Sequence, residues 1–156
     1  MEHPSFEALD SVIQLPGKPP VAQTGYSAGD ESEDHFIVRD GKTFAGMHLI
    51  LDLWQARNLD KLDVMEHAMR EAVKVSGATL LHIHLHHFSP TGGISGVAVL
   101  AESHISVHTW PERDYAAFDI FMCGDAKPEM SIPVLKQHFY PARMEITEHL
   151  RGMVRK

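Results

Sequence analysis

The chain has 156 residues, of which 44% are hydrophobic and 22% charged, as is typical of one globular domain with its own core. Its formal net charge of −7 argues against nucleic acid or an anionic membrane as a partner and favours a cationic small molecule. We expect a cytoplasmic protein, because Cys123 is the single cysteine and the sequence shows neither a signal-peptide pattern nor an apolar run of the roughly 20 residues that span a bilayer.

Residues 1–42 are predicted to form an N-terminal extension that is loosely attached or partly disordered. They contain "LPGKPP" and "GYSAGDESED", which are rich in Pro, Gly, Ser and acidic residues and lack a sustained hydrophobic period. Such a composition buries little apolar surface. A short strand is predicted within residues 35–41.

Residues 43–156 are predicted to form one domain of strands and helices. Apolar residues alternate in the predicted strands and recur every three or four positions in the predicted helices. The strands are 47–54, 79–88, a run from 96 to 110 interrupted only at Glu102-Ser103, 115–123 and 142–150. The helices are 58–77 and a short one within 129–139 that begins near Pro133. The order β-α-β-β-β-α-β with short connections predicts an α+β fold, a two-layer α/β sandwich with a mostly antiparallel sheet and helices on one face.

Three histidines, His82, His84 and His86, fall on one face of the second predicted strand. Imidazole is a common transition-metal ligand, but alternate residues of a strand lie about 7 Å apart, too far for three to converge easily on one ion. We therefore predict no metal site and favour a solvent-facing sheet surface or a subunit interface. His87, on the other face, is predicted in the core or facing a site.

Glu102 and Ser103 are polar residues inside an otherwise apolar, β-branched run. A hydrolase nucleophile would need a base nearby, yet His108 is five residues on, which points it to the opposite face of an extended strand, and no Gly-x-Ser-x-Gly pattern is present. Alternatively, Ser103 attacks the Glu102 carbonyl in an N-to-O acyl shift; β-elimination and hydrolysis then leave a pyruvoyl group. Composition alone leaves this route and a purely structural serine open.

The segment "GISGVAVLAESHISVHTWPERDYAAFDIFMCG", residues 93–124, closely resembles the self-processing core of prokaryotic S-adenosylmethionine decarboxylases, which are pyruvoyl-dependent enzymes. The matching elements are Ser-Gly before an apolar strand, Glu-Ser-His, His-Thr-Trp-Pro-Glu, Tyr-Ala-Ala and a strand that ends in Cys-Gly. The resemblance extends from about residue 45 to residue 152. The two-layer sandwich of that family agrees with the predicted strand order.

The resemblance implies that the chain is cut between Glu102 and Ser103 into a β chain, 1–102, and an α chain, 103–156. Ser103 would become the pyruvoyl cofactor. Ser95 and His108 match residues that assist self-processing, and His108 would also act in catalysis.

The resemblance also implies roles for residues around the substrate. Cys123 matches the proton donor in decarboxylation, Glu112 the carboxylate that holds the ribose hydroxyls, and Phe88 an aromatic that stacks on adenine, with Trp110 lining the same region. A substrate amine condenses with the pyruvoyl ketone, and the adjoining amide carbonyl accepts the electrons released with carbon dioxide. A thiol is a competent acid for the following protonation.

The implied function is decarboxylation of S-adenosylmethionine for polyamine (spermidine) biosynthesis, by a homodimer of processed chains. Two alternatives remain open: a pyruvoyl-dependent ornithine or arginine decarboxylase, and an unprocessed, non-catalytic regulatory member. The loop "FSPTGGISG" (88–96) is about one residue longer than the family's usual form, and "DLWQARN" (52–58) stands where a Gly-Cys pair is common. Because the loop adjoins Phe88, these departures bear on the choice of substrate.

Overall fold

In a computed structural model the protein is described from residue 36 to residue 154, so that most of the predicted extension lies outside the described residues. The described part begins with a hairpin of β1 (Ile37–Arg39) and β2 (Lys42–Phe44). This hairpin confirms the short strand predicted within residues 35–41. The backbone N–H of Val154 donates to the Thr43 carbonyl at 2.8 Å, which ties β2 to the C-terminal segment.

The main sheet has six strands in the order β4-β5-β6-β7-β3-β8, and every neighbouring pair is antiparallel. Two helices pack against each other and against the sheet. The elements are β3 (Gly46–Trp54), α1 (Leu62–Val75), β4 (Leu80–His87), β5 (Ile94–Leu100), β6 (Ser103–Trp110), β7 (Tyr115–Cys123), α2 (Ser131–Phe139) and β8 (Arg143–Arg151). The predicted two-layer α+β sandwich is confirmed.

The core lies between the helices and one face of the sheet. Successive side chains of a strand point to opposite faces, so the apolar residues that alternate along β3 and β7 form one buried layer. Each fully buried large side chain of this layer contributes about 1.5–3 kcal/mol. The buried residues include Leu49, Leu51 and Leu53 of β3, Phe118, Ile120 and Met122 of β7, Met65 and Met69 of α1, and Leu135 and Phe139 of α2.

The predicted interrupted strand at 96–110 is in fact two strands. β5 and β6 form a hairpin in which Leu100 pairs with Ser103 and residues 101 and 102 form the loop. The corrected order within the sandwich is β-α-β-β-β-β-α-β. A two-residue loop breaks the apolar pattern so briefly that periodicity alone does not distinguish a reversal of the chain from a polar interruption.

Two local details of the predicted elements differ from simple periodicity. α2 begins at Ser131, two residues before Pro133. Proline is tolerated in the first helical turn, because a backbone N–H at that position would have no partner within the helix. Leu81 is 64% exposed, because the pairing register shifts between Leu80 and His82 and removes Leu81 from the apolar alternation. Neither of the two helices in the described part of the chain has the length and apolar character needed to cross a membrane.

Candidate functional site

The sheet face opposite the helices, called here the open face, carries the polar and aromatic residues that alternate with the core. On β6 these are His104, Ser106, His108 and Trp110, whereas Ile105 and Val107 are buried. Within residues 36–154 no helix covers this face, because both helices pack on the other side. The predicted site residues lie on this face or at the ends of its strands.

The loop between β5 and β6 carries local backbone strain. Glu102 has a φ of 63°, in the left-handed region that residues with a side chain rarely adopt. Glycine or asparagine usually occupies such a turn position, and holding another residue there costs on the order of 1–3 kcal/mol. The strained residue supplies the carbonyl of the Glu102–Ser103 bond, the bond predicted to be cut.

Ser103 and Cys123 lie side by side at the same end of the sheet. The backbone N–H of Cys123 donates to Ser103 Oγ at 3.1 Å, and Ser103 is buried with 9% of its surface exposed. Burial, and then the charge of Glu102, raises the pKa of the Cys123 thiol above its ordinary value. The thiol is therefore protonated at neutral pH, which is the form that a proton donor requires.

A second group of predicted residues lines one cavity of about 290 Å³. Ser95 Oγ and His108 Nδ1 form a hydrogen bond of 2.8 Å across the β5–β6 pair. The volume is at the small end for a ligand pocket. The predicted residues around the cavity are Phe88, Ser95, His108, Trp110 and Glu112, together with Thr91, Gly93 and Thr109.

Within one chain these two groups are separate. Ser103 begins β6 and His108 is five residues further along, a distance of about 16 Å on an extended strand. Ser103 is buried on the side of Ile105 and Val107, whereas His108 is exposed on the open face. The opposite-face prediction for His108 is confirmed. The structure brings Ser95 and His108 together, and Ser103 and Cys123 together, but it does not join the two pairs.

The histidines of β4 form an exposed row on the open face. His82, His84 and His86 are all exposed, and the His86 ring packs edge-on against Phe88 with centroids 4.5 Å apart. None of the three belongs to a group of possible metal ligands within residues 36–154. His87 is exposed at the end of β4 and does not enter the core.

An aromatic ladder on the open face was missed at the sequence level. Tyr115 stacks on Trp54 with centroids 4.4 Å apart and on Trp110 with centroids 5.2 Å apart. The Tyr115 hydroxyl donates to Asp52; burial first, and then this bond, raises the pKa of Tyr115 to about 12. Arg143 lies over the Trp54 ring, 5.1 Å from its centroid. Alternation placed these residues on one face, but only the strand register shows that they touch.

A polar cluster in the middle of the open face was also missed. Asp119 lies 3.3 Å from His48 Nε2 and accepts a hydrogen bond from Ser106 at 3.4 Å. Arg151 Nη1 lies 3.2 Å from the second ring nitrogen of His48. The cluster joins four strands, β6, β7, β3 and β8, and it was not foreseeable without the sheet order.

Comparisons with known proteins all indicate one family. The model of the S-adenosylmethionine decarboxylase family matches residues 47–152. The S-adenosylmethionine decarboxylase proenzyme of Thermomicrobium roseum is 47% identical over 110 residues, covering 70% of this chain and 95% of that protein. The proenzyme of Methanococcus maripaludis is 46% identical over 112 residues, covering 70% and 91%. The crystal structure of the adenosylmethionine decarboxylase from Aquifex aeolicus superposes with a TM-score of 0.66 at 32% identity, covering 72% of this chain and 95% of that one.

Proposed function

The chain belongs to the S-adenosylmethionine decarboxylase family, and we propose that it cuts itself before Ser103 and then releases the carboxylate of S-adenosylmethionine as carbon dioxide. The decarboxylated product serves polyamine synthesis. The observation that carries the proposal is the left-handed Glu102 directly before a buried Ser103 whose hydroxyl is held by the Cys123 N–H. A cytoplasmic, reducing compartment suits a mechanism that needs a free thiol at Cys123.

The residues around Ser103 fit a serine that becomes a pyruvoyl group. Ser103 Oγ attacks the Glu102 carbonyl carbon, the C–N bond breaks, and the amino group of residue 103 becomes free. Elimination then removes the Cα proton of residue 103 and breaks its Cβ–Oγ bond, which leaves a carboxylate on Glu102 and dehydroalanine at residue 103. The dehydroalanine tautomerises to an imine, and water hydrolyses the imine to the ketone with release of ammonia. Strain at Glu102 is relieved when its peptide bond breaks, which favours the first step.

A pyruvoyl group at residue 103 would supply the electron sink for loss of carbon dioxide. Cys123 is our candidate for the acid that protonates the substrate carbon, because the contact between its backbone N–H and Ser103 Oγ makes the two residues neighbours at one end of the sheet. Its raised pKa keeps the proton on sulfur at neutral pH until that step. Cys123 therefore acts as the proton donor, after the chain has been cut.

Cys123→Ala separates the two reactions. We expect the variant to be cut before Ser103, because the N–H that holds the serine belongs to the backbone and is retained. Decarboxylation should fall about 100-fold or more, the usual contribution of a positioned general acid. Mass spectrometry measures the cut and carbon dioxide release measures turnover. Full turnover in the variant would contradict the proton-donor role. Met122→Ala, at the neighbouring position, is the control for an effect of packing alone.

The cavity supports S-adenosylmethionine over ornithine or arginine as the substrate. Phe88 and Trp110 offer two aromatic faces for a purine, and Glu112 offers a carboxylate for a pair of ribose hydroxyls. The cationic ends of ornithine and arginine would pair with Glu112, but neither molecule has a purine to stack on Phe88 and Trp110 or a pair of ribose hydroxyls for Glu112 to accept. The same cavity holds Ser95 and His108, so the nucleoside end of the substrate would bind beside them.

Carbon dioxide release from the three substrates tests this choice. S-adenosylmethionine should be the preferred substrate of the wild type by kcat/KM. Glu112→Gln should raise KM for it by about 10- to 150-fold, since a hydrogen bond to a charged group contributes about 1.5–3 kcal/mol. The control is Glu129→Gln, an exposed glutamate outside the cavity. A wild-type preference for ornithine or arginine would overturn the substrate assignment.

We also propose that the working unit is a homodimer whose open faces meet. A two-fold axis that runs between the two sheets, perpendicular to their strands, would place the Ser103 end of one chain against the His108 end of its partner. The same contact would recur symmetrically. The separation of the two pairs along β6 supports this arrangement, because one chain alone holds only half of each site. Trp110, 41% exposed, and Phe88, 45% exposed, supply apolar surface for such an interface.

A further inference from the structure

Three side chains on the helix layer form a cluster that the proposed reaction does not use. His67 and Glu71 lie one turn apart on α1, and His138 lies near the end of α2. His138 Nε2 is 2.7 Å from Glu71 Oε2, and His67 Nε2 is 3.8 Å from the same oxygen. The ligand atoms of all three residues lie within 4.8 Å of one another. The cluster therefore offers two imidazole nitrogens and one carboxylate oxygen that converge on one point.

We propose that His67, Glu71 and His138 form a binding site for a divalent transition-metal ion, with zinc the best match. Two histidines and one glutamate are a recurrent zinc ligand set, and imidazole nitrogen also suits nickel and copper. The site stands apart from the proposed decarboxylation, since its residues lie on the helices and the cavity lies on the sheet.

The distances require adjustments of no more than about 1.5 Å to admit an ion. Ligand atoms that surround a tetrahedral zinc at about 2.0–2.2 Å are separated from each other by about 3.3–3.6 Å. The 3.8 Å separation between His67 and Glu71 is close to this value. The 2.7 Å contact between His138 and Glu71 must open slightly as the ion replaces the shared proton. The fourth position would remain open to water.

The cluster combines a fixed pair with one movable ligand. The side chain of His138 is only 17% exposed, and Asn58 Nδ2 donates to its backbone carbonyl at 2.9 Å, which holds the end of α2. The side chain of His67 is 72% exposed, so it is free to rotate about its own bonds toward an ion held by the other two. Binding would thus add a metal link between α1 and α2, which already pack against each other.

The local charges allow a cation to bind. Glu71 contributes a carboxylate oxygen that lies 2.7 Å from His138 Nε2 and 3.8 Å from His67 Nε2. Arg70, which lines the same surface depression of about 390 Å³, is held by Glu66 through hydrogen bonds of 2.7 and 2.9 Å. Lys74 is the remaining cation around the depression. The ion pair between His67 and Glu71 is exposed, and such pairs contribute little to stability. Stability alone therefore does not account for His67 beside Glu71.

Calorimetric titration of the full processed protein with zinc chloride tests the site. We expect one tight equivalent, with binding that weakens as the pH falls because imidazole ligates a metal only when neutral. His67→Ala and His138→Ala should each raise the dissociation constant by at least about 10- to 100-fold, the loss that follows removal of even an outer-shell partner of a ligand. Glu71→Gln keeps a hydrogen-bond partner for His138 but removes the anionic ligand, so it should weaken binding while leaving the melting temperature of the metal-free protein unchanged.

The exposed histidine row of β4 provides the matched control. The triple variant of His82, His84 and His86 to alanine should still bind one equivalent of zinc tightly. Cobalt, followed by its visible absorption, should rank the wild type and the variants in the same order of affinity. Absence of one-to-one binding in the wild type would overturn the proposal. So would tight binding that persists in the His67→Ala/His138→Ala double variant or disappears in the β4 triple variant. Decarboxylation by the double variant is measured in parallel, so that failure of the metal-site proposal can be distinguished from failure of the proposed function.

Discussion

Ser103→Ala should leave the chain whole. The variant lacks the hydroxyl that attacks the Glu102 carbonyl in the proposed maturation, so the acyl shift has no nucleophile and no new N-terminus forms. We expect intact-mass spectrometry to show a single chain of residues 1–156. The wild type should give a β chain, 1–102, and an α chain whose mass is lower than that of an unmodified Ser103 N-terminus by one ammonia. Decarboxylation by the variant should be undetectable, since the electron sink is never formed.

Ser106→Ala is the control for this result. Ser106 lies on the same strand but on the open face, where it donates to Asp119, so its loss should leave the cut intact. An uncut wild-type chain would contradict the proposed maturation and favour the alternative of an unprocessed regulatory protein. A cut that persists in Ser103→Ala would show that the hydroxyl of residue 103 is not the nucleophile.

The fold could be predicted from the sequence wherever one period dominates. Alternation located β3 and β7, and the three-to-four spacing located α1, because each of these elements buries one face against the core. The reversal at residues 101 and 102 could not be read in this way. A two-residue loop without glycine or asparagine lacks the usual hairpin signal, and Glu102 adopts its positive φ in spite of its side chain.

The candidate site was predictable in its residues but not in its arrangement. The motifs singled out Ser103, His108 and Cys123, and strand alternation alone already placed His108 on the opposite face from Ser103. The aromatic ladder around Tyr115 was missed because it depends on cross-strand pairing, which a single sequence does not encode locally. Residues that act together in the proposed maturation are therefore farther apart in one chain than their shared motif implies.

This separation matters because proton transfer requires hydrogen-bond contact. Ser103 and His108 are about 16 Å apart along β6, so His108 of the same chain cannot reach the bond that is cut, which lies in the β5–β6 loop at the end of the sheet. A partner chain whose open face is reversed would bring its own Ser95–His108 pair to that bond. The role of His108 in maturation and the homodimer thus form one hypothesis, and one experiment tests both.

Co-expression of His108→Ala with Ser103→Ala should restore cutting to chains that fail alone. In a mixed dimer, the His108→Ala chain keeps its own Ser103 and receives His108 from the Ser103→Ala partner, which completes one of the two sites. With random pairing, about half of the His108→Ala chains enter mixed dimers and become cut, while the Ser103→Ala chains stay whole. Different affinity tags allow the mixed dimers to be isolated and each chain to be weighed by mass spectrometry.

The matched control replaces the partner with the Ser103→Ala/His108→Ala double variant, which pairs in the same way but brings no histidine. Cutting should then remain at the level of His108→Ala alone. Equal rescue by both partners would show that pairing itself, and not the histidine, promotes the cut. No rescue in isolated mixed dimers would place the action of His108 within its own chain, which would require the β5–β6 hairpin to rearrange before maturation. A site shared between chains links cutting to assembly, because a chain matures only after it has found its partner.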